Sequence, residues 1–277
     1  MNLIDENIAK KIFNKIVYPA QKGKYSEAAQ NISGIIKSLY ANIPDQKRIS
    51  YGRVYTVKIL SRHLFDQFKK NDLPIFEIAA NVYNHGGNYQ ILGAAIGILS
   101  IHGLTDFKSV LPYFESAGKS SQWDVREMAQ MFFRKLIKKY PKESREFLLR
   151  LAESEDANTR RFVSETLRPV QENRWFFENH EYPLSIIKKM FKEKSPYPRT
   201  SVGNNLSDLS RRLPGLIYGL VEELVSTGDK NSYWIAYRAC RNLVKNEPVK
   251  VLDLLKIDEY KYKKRIHKRS EYQGNSS

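Results

Sequence analysis

Apolar residues recur every third or fourth position through most of this chain, which predicts helix nearly from end to end. Ile4, Ile8, Ile12 and Ile16 form an i,i+4 stripe with lysines opposite. Residues 25–39 repeat the idea with Ala28, Ile32, Ile35, Ile36 and Leu39, and residues 49–68 form a longer amphipathic stretch through Tyr55, Ile59 and Leu64. Pro74 suits the first turn of a helix that runs to Tyr83 and is broken by His85, Gly86 and Gly87. An apolar helix from Tyr89 ends at Gly103, and another from Leu104 is punctuated by Gly118. The back half predicts helices over 123–140, from Pro141 to about Glu153, from an Asp156 N-cap to near Arg168, and over 184–191. Further helices open at Pro196 and Pro214, span 233–245, and open at Pro248. No β-alternation of useful length interrupts them.

Three of these helices carry one pattern. They read WDVREMAQMFF from Trp123, NTRRFVSETLRP from Asn158 and YPRTSVGNNLSDL from Tyr197. In each, an Arg (Arg126, Arg160, Arg199) is followed three residues on by Ala129, Val163 or Val202 and seven on by Phe133, Leu167 or Leu206. Those offsets lie on one helix face. The arginines are 34 and 39 residues apart, and a weaker fourth copy places Ala236, Ala239 and Leu243 at the same offsets. A helix recurring at this period marks an all-α solenoid, closest to HEAT or armadillo units. Residues 1–257 are therefore expected to form one HEAT-like solenoid, with its clearest repeats over 122–255. Residues 258–277 lack apolar periodicity and are dense in Lys, Arg and Tyr, which predicts a mobile basic tail.

Charge gives the solenoid a direction. Lys+Arg 46 against Asp+Glu 30 leaves a net +16, which favours a polyanionic partner, nucleic acid before an anionic membrane. Arginines repeated once per unit would line a concave face with positive charge. The single cysteine, Cys240, excludes an internal disulfide and a cysteine-based zinc site. The N-terminus has acidic residues and no long apolar core, unlike a signal peptide, and no apolar run reaches the roughly 18 residues of a membrane span. A soluble cytoplasmic protein, acting as a monomer, is expected.

The candidate DNA-contacting residues are Arg126, Arg160, Arg161, Arg168, Arg199, Asn204, Asn205, Arg211, Arg212, Arg238, Arg241 and Lys245. Guanidinium groups on one face can meet successive phosphates, though some solenoid arginines pair instead with acids of the next repeat. Glu127, Glu165 and Asp208 are embedded in this basic series. A carboxylate there either fixes an Arg or stabilises the cation that develops on a sugar as a damaged base departs. Trp175 lies in an irregular stretch between repeats, where sites often lie. The five histidines show no metal spacing.

At RRFVSETLRP, RTSVGNNLSDLSRRLP and WIAYRACRNLVK the sequence resembles the DNA alkylation-repair HEAT-like-repeat family, the AlkC/AlkD-type DNA glycosylases, nearer the AlkC branch. The resemblance implies a right-handed solenoid gripping double-stranded, alkylated DNA in its concave face. It also implies excision of cationic alkylated bases without metal or cofactor. By motif, Glu127, Glu165 and Asp208 would be the catalytic acids and Trp175 the aromatic of the cleft. The chain departs from the family pattern at Thr166, at Gly203-Asn204-Asn205 and at Arg238, where the family would have Gly, Ala-Asn-His and His. These changes bear on catalysis more than on DNA binding, so a non-enzymatic scaffold for damaged or branched DNA stays open, as does a protein-interaction scaffold.

Overall fold

The structure is a computed structural model that describes residues 3–48 and 53–272, Arg53 by its backbone alone. Two compact units divide the chain at Pro141 and Lys142. The first contains α1 (Glu6–Ile12), a π-helical turn (Phe13–Val17), α2 (Tyr18–Gln21), α3 (Tyr25–Ala41), α4 (Asp45–Arg48), α5 (Arg53–Lys70), α6 (Ile75–Asn84), α7 (Tyr89–His102), α8 (Phe107–Lys119) and α9 (Trp123–Lys139). The Ile49 end of the helix expected over 49–68 lies outside the described residues.

In this unit α5, α7 and α9 pack in succession, with α6 and α8 against them. The all-round apolar sequence of α7 explains its position, because Ile91, Ala94, Ala95, Ile96, Ile98 and Leu99 are all buried. Close approach depends on two glycines. A Cβ on Gly93 would collide with the Met128 side chain of α9, and one on Gly97 with Ser61 of α5.

The second unit contains α10 (Pro141–Ala152), α11 (Ala157–Thr166), a 3₁₀ segment (Gln171–Phe177), α12 (Glu181–Ile187), α13 (Pro196–Leu209), α14 (Pro214–Ser226), α15 (Lys230–Ala239) and α16 (Pro248–Leu255). Its starts are encoded locally. The Asp156 carboxylate accepts from Thr159 N at 2.8 Å, Asp229 accepts from Asn231 N and Ser232 N, and Pro196, Pro214 and Pro248 occupy first turns. The first helices of successive repeats, α11, α13 and α15, form one layer, and α14 and α16 pack behind α15. Val163, Val202 and Ala239, and behind them Leu167, Leu206 and Leu243, are buried as the repeat pattern requires.

The end of the chain departs from the expected tail. Residues 259–268 form an antiparallel hairpin, β1 (Glu259–Tyr262) with β2 (Arg265–Lys268), joined through Lys263 and Lys264. Tyr260 is fully buried, its ring stacked on Tyr237 at 4.4 Å and its hydroxyl donating to the Tyr237 carbonyl at 2.8 Å. Arg269 then ties the chain to Asp253 of α16 and to Asp258 at 2.6 and 3.1 Å. A buried tyrosine and a two-acid clamp hold a segment whose composition alone reads as solvated. Residues 273–277 of the expected tail lie outside the described residues.

Candidate nucleic-acid interface

The layer of α11, α13 and α15 carries a continuous polar network. Glu165, in the last turn of α11, is 4% exposed. Its Oε1 accepts from the Ser201 hydroxyl of α13 at 2.6 Å and lies 3.6 Å from the Arg161 guanidinium, and its Oε2 accepts from Arg168 at 3.2 Å. Arg168 also donates through Nε to Asp208 Oδ2 at 2.9 Å, and its Nη2 bonds the same oxygen. Asp208 Oδ1 accepts from Arg241 at 2.9 Å and has Arg211 at 3.6 Å. One guanidinium therefore links the acids of two helices. Burial works against the Arg168 charge, but the Glu165 and Asp208 carboxylates outweigh it and raise its pKa above the usual arginine value.

The network continues onto α15. Asn204 Oδ1 accepts from Arg238 Nε and from Arg241 Nη1, both at 2.9 Å, and Arg241 Nε donates to Ser207. Gly203 allows this, because a Cβ there would collide with the Arg238 side chain. Asn205 is buried instead and donates to the Ser164 carbonyl at 2.9 Å, fastening α13 to α11. With Arg161, Arg168, Arg211, Arg238 and Arg241 around two carboxylates, the cluster keeps an excess of positive charge.

A cavity of about 370 Å³ opens beside Glu165, lined by Arg161, Tyr197, Thr200, Ser201 and Asn204 among others. The Arg161 guanidinium lies over the Tyr197 ring at 4.4 Å, and Arg199 lies over Trp234 at 4.9 Å while donating to Asn231. Arg212, exposed on the loop after α13, covers Phe177 at 4.8 Å. Lys245 is exposed and donates to Asn242.

Two of the recurring arginines do something else. Arg126 is buried and donates through Nη1 to the Ser120 and Ser121 carbonyls at 2.6 and 3.1 Å. Arg160 repeats this with the Ser154 and Glu155 carbonyls at 2.7 and 2.9 Å. Each staples the turn that precedes its own helix, at the same sequence offsets. Arg160 also forms a bidentate pair with buried Glu193 at 2.6 and 2.9 Å, and that hydrogen-bonded pairing raises its pKa. Among the candidate acids, Glu165 and Asp208 are brought together. Glu127 belongs to the first unit, where it accepts from Gln130. Trp175 packs on Phe176 and Tyr182 at 4.5 and 5.2 Å, within an aromatic cluster of the 3₁₀ segment and α12.

Sequence reading passed over Ser201, Glu193 and Tyr262. Ser201 and Glu193 sit one repeat beyond the residues they hold, so the repeat period itself was their signal. For Tyr262 the signal was the Tyr-Lys alternation of 260–263.

Solved structures share the fold that carries this layer. AlkD2 from Streptococcus mutans superposes with a TM-score of 0.56 over 76% of this chain and 98% of that one, at 23% identity. The chain has the helical-repeat fold of the AlkC/AlkD-type proteins. The protein smu.31 from Streptococcus mutans UA159 shares this fold with a TM-score of 0.50 at 22% identity, over 67% of this chain and 98% of that one. The Pseudomonas fluorescens alkylpurine DNA glycosylase AlkC, bound to DNA containing an abasic site analog, does so with a TM-score of 0.50 at 20% identity, over 90% of this chain and 65% of that one. No family model and no curated protein matches the sequence. Among the described residues, no helix is long and apolar enough to cross a membrane.

Proposed function

We propose that this chain binds duplex DNA across the layer of α11, α13 and α15, in the repair of alkylated DNA, and that it excises cationic alkylated bases beside Glu165. The observation that carries this reading is a nearly buried carboxylate at the wall of an open cavity within an arginine-rich helix layer. The arginines attract the phosphate backbone. A base alkylated to a cation needs no protonation to leave. The N-glycosidic bond breaks with its electron pair going to the base, which departs neutral. The sugar becomes an oxocarbenium-like cation, and water adds to its anomeric carbon and loses a proton. The Glu165 and Asp208 carboxylates would stabilise that cation electrostatically. The DNA-bound alkylpurine glycosylase with this fold supports the reading.

A second reading is favoured by Arg168, which bonds both acids and so offsets the charge they would offer a sugar cation. On that reading the acids orient arginines and the protein binds DNA without cleaving it. One experiment separates the two. Methylated-base release from alkylated duplex DNA is quantified by mass spectrometry for wild type and Glu165→Gln, with DNA affinity measured in the same samples. Release that depends on Glu165 supports excision. Tight, salt-sensitive binding with no release supports the second reading, and absence of DNA binding overturns both.

A further inference from the structure

We infer that the hairpin of β1 and β2 is a second, rigidly mounted contact for the phosphate backbone of duplex DNA, with Lys263, Lys264 and Arg265 at its tip as the contacting groups. This rests on the DNA-binding reading above and extends it beyond the repeats. Three independent observations converge on it.

The first is charge without compensation. Lys261, Lys263, Lys264 and Arg265 are exposed and have no acidic partner among the described residues. The one acid of the strands, Glu259, is engaged by Lys268 at 3.9 Å, at the opposite end from the tip. Arg269 is likewise occupied by Asp253 and Asp258. The positive charge left over is therefore concentrated at the turn.

The second is the mounting. Buried Tyr260 anchors β1 to α15 by stacking on Tyr237, and the Tyr237 hydroxyl in turn accepts from Lys261 N at 2.7 Å. Tyr262 then lies against the repeat arginines, with Arg238 and Arg241 at 5.1 and 6.0 Å from its ring. Burial pushes the Tyr262 phenol up, but the hydrogen bond with Arg241 and the neighbouring positive charges outweigh it and leave it below its ordinary value. Arg238 and Arg241 are the groups that bond Asn204 and Asp208 on their other side. A duplex lying on α13 and α15 would run directly onto the hairpin.

The third is the turn itself. Lys263 has φ +55°, a left-handed conformation that two-residue hairpin turns normally give to Gly, Asn or Asp. A lysine there keeps a charge at the tip at the cost of backbone strain, which is characteristic of functional positions. The two-stranded ribbon is narrow enough for a major groove, and its tip side chains are long enough to reach phosphates from the groove edge.

The test compares three full-length proteins by fluorescence anisotropy on duplex DNA across a salt series. They are wild type, a tip variant (Lys263→Asn, Lys264→Ser, Arg265→Thr) that keeps turn and strand propensity, and a control that removes three exposed lysines elsewhere (Lys10→Gln, Lys15→Gln, Lys69→Gln). The tip variant is expected to lose at least tenfold in affinity near 0.1 M salt. Its plot of log affinity against log salt should flatten by roughly 2–3, as expected for up to three lost phosphate contacts. The control should change less than threefold. Equal losses in the tip variant and the control would overturn the inference, reducing the hairpin to bulk charge, as would a tip variant indistinguishable from wild type. Wild type that fails to bind DNA would overturn the underlying reading as well. Near-ultraviolet circular dichroism on each protein guards against a loss that reflects unfolding, and a tip variant with an altered spectrum is replaced by Lys264→Ser alone, expected to flatten the slope by about 1.

Discussion

Arg168 reaches from the end of α11 to Asp208 of α13, donating through Nε at 2.9 Å, while its Nη1 donates back to Glu165 at 3.2 Å. The two carboxylates are nearly buried, and the guanidinium side chain is 29% exposed. Removing one partner from a fully buried pair costs about 3–5 kcal/mol, and exposure lowers that figure. Each acid also keeps another arginine, Arg161 for Glu165 and Arg241 for Asp208. Arg168→Met is therefore expected to lower stability by about 2 kcal/mol in urea unfolding at neutral pH. Arg168→Lys should recover less than half, because one ammonium cannot bond both acids in the fork geometry. Full recovery by lysine would show that only net charge matters at this position.

The recurring arginines give a second prediction. Arg160 bonds two carbonyls of the turn before α11 and pairs with buried Glu193. Arg160→Met should cost about 2–3 kcal/mol of stability while leaving DNA affinity within twofold. A tenfold loss of affinity in a protein that retains wild-type stability would instead place this residue on the phosphate backbone.

How much of this was legible in the sequence depended on which physical signal each residue carries. The helices, the prolines at their starts and the Asp156 cap were readable because burial periodicity and capping are local. The proximity of Glu165 to Arg161 and Arg168 was implicit in helical spacing. The partner in the next repeat was not spelled out locally, because an Arg that staples its own turn, such as Arg160, and an Arg that bonds the next repeat, such as Arg199, occupy the same helical position. Arg126 and Arg160 share the first role, each holding the turn before its own helix, whereas Arg199 at the same repeat position bonds Asn231. The hairpin was read as solvated tail because its charge density masks two inward tyrosines, and a four-residue strand gives alternation too little length to register.

Ser201 offers a way to separate orientation from binding. Its hydroxyl is fully enclosed and donates to Glu165 Oε1 at 2.6 Å. Ser201→Ala frees one carboxylate oxygen from its fixed direction at a cost of about 1–2 kcal/mol in stability. On the excision reading, single-turnover base release should fall about tenfold with DNA affinity unchanged, since a cation-stabilising carboxylate depends on its placement. Release at the wild-type rate would remove Glu165 orientation from the mechanism.

Cys240 supplies a readout for all of these variants. It is buried at the end of α15, and burial pushes its thiol up to about 12. An unfolded cysteine ionises near 8.5, and the thiolate is the reactive form. In the native protein at pH 8, a thiol reagent should therefore react only through opening, at a rate that rises with denaturant. The sign of the linkage also follows. The native thiol stays protonated while the unfolded one ionises, so this group's contribution to stability is complete below about 8.5 and is lost as pH rises toward 12. Rapid labelling of the native protein at pH 8 would show that α15 opens locally.

The turn of the hairpin sets stability against function at a single residue. Lys263 adopts φ +55°, where a β-carbon meets steric opposition that asparagine tolerates better. Lys263→Asn should therefore raise stability by up to about 1 kcal/mol, measured as a shift of the urea midpoint. The same change removes one charge from the tip, and if that charge meets a phosphate the salt dependence of DNA binding should flatten by about 0.9. The two effects have opposite consequences, so they cannot both come from damage to the fold. A variant that loses affinity and stability together would show that Lys263 holds the hairpin in place, and its contact with the Tyr262 ring at 5.7 Å would be the interaction responsible. A gain in stability with a flatter salt dependence would show that the strained lysine is kept for the DNA it touches.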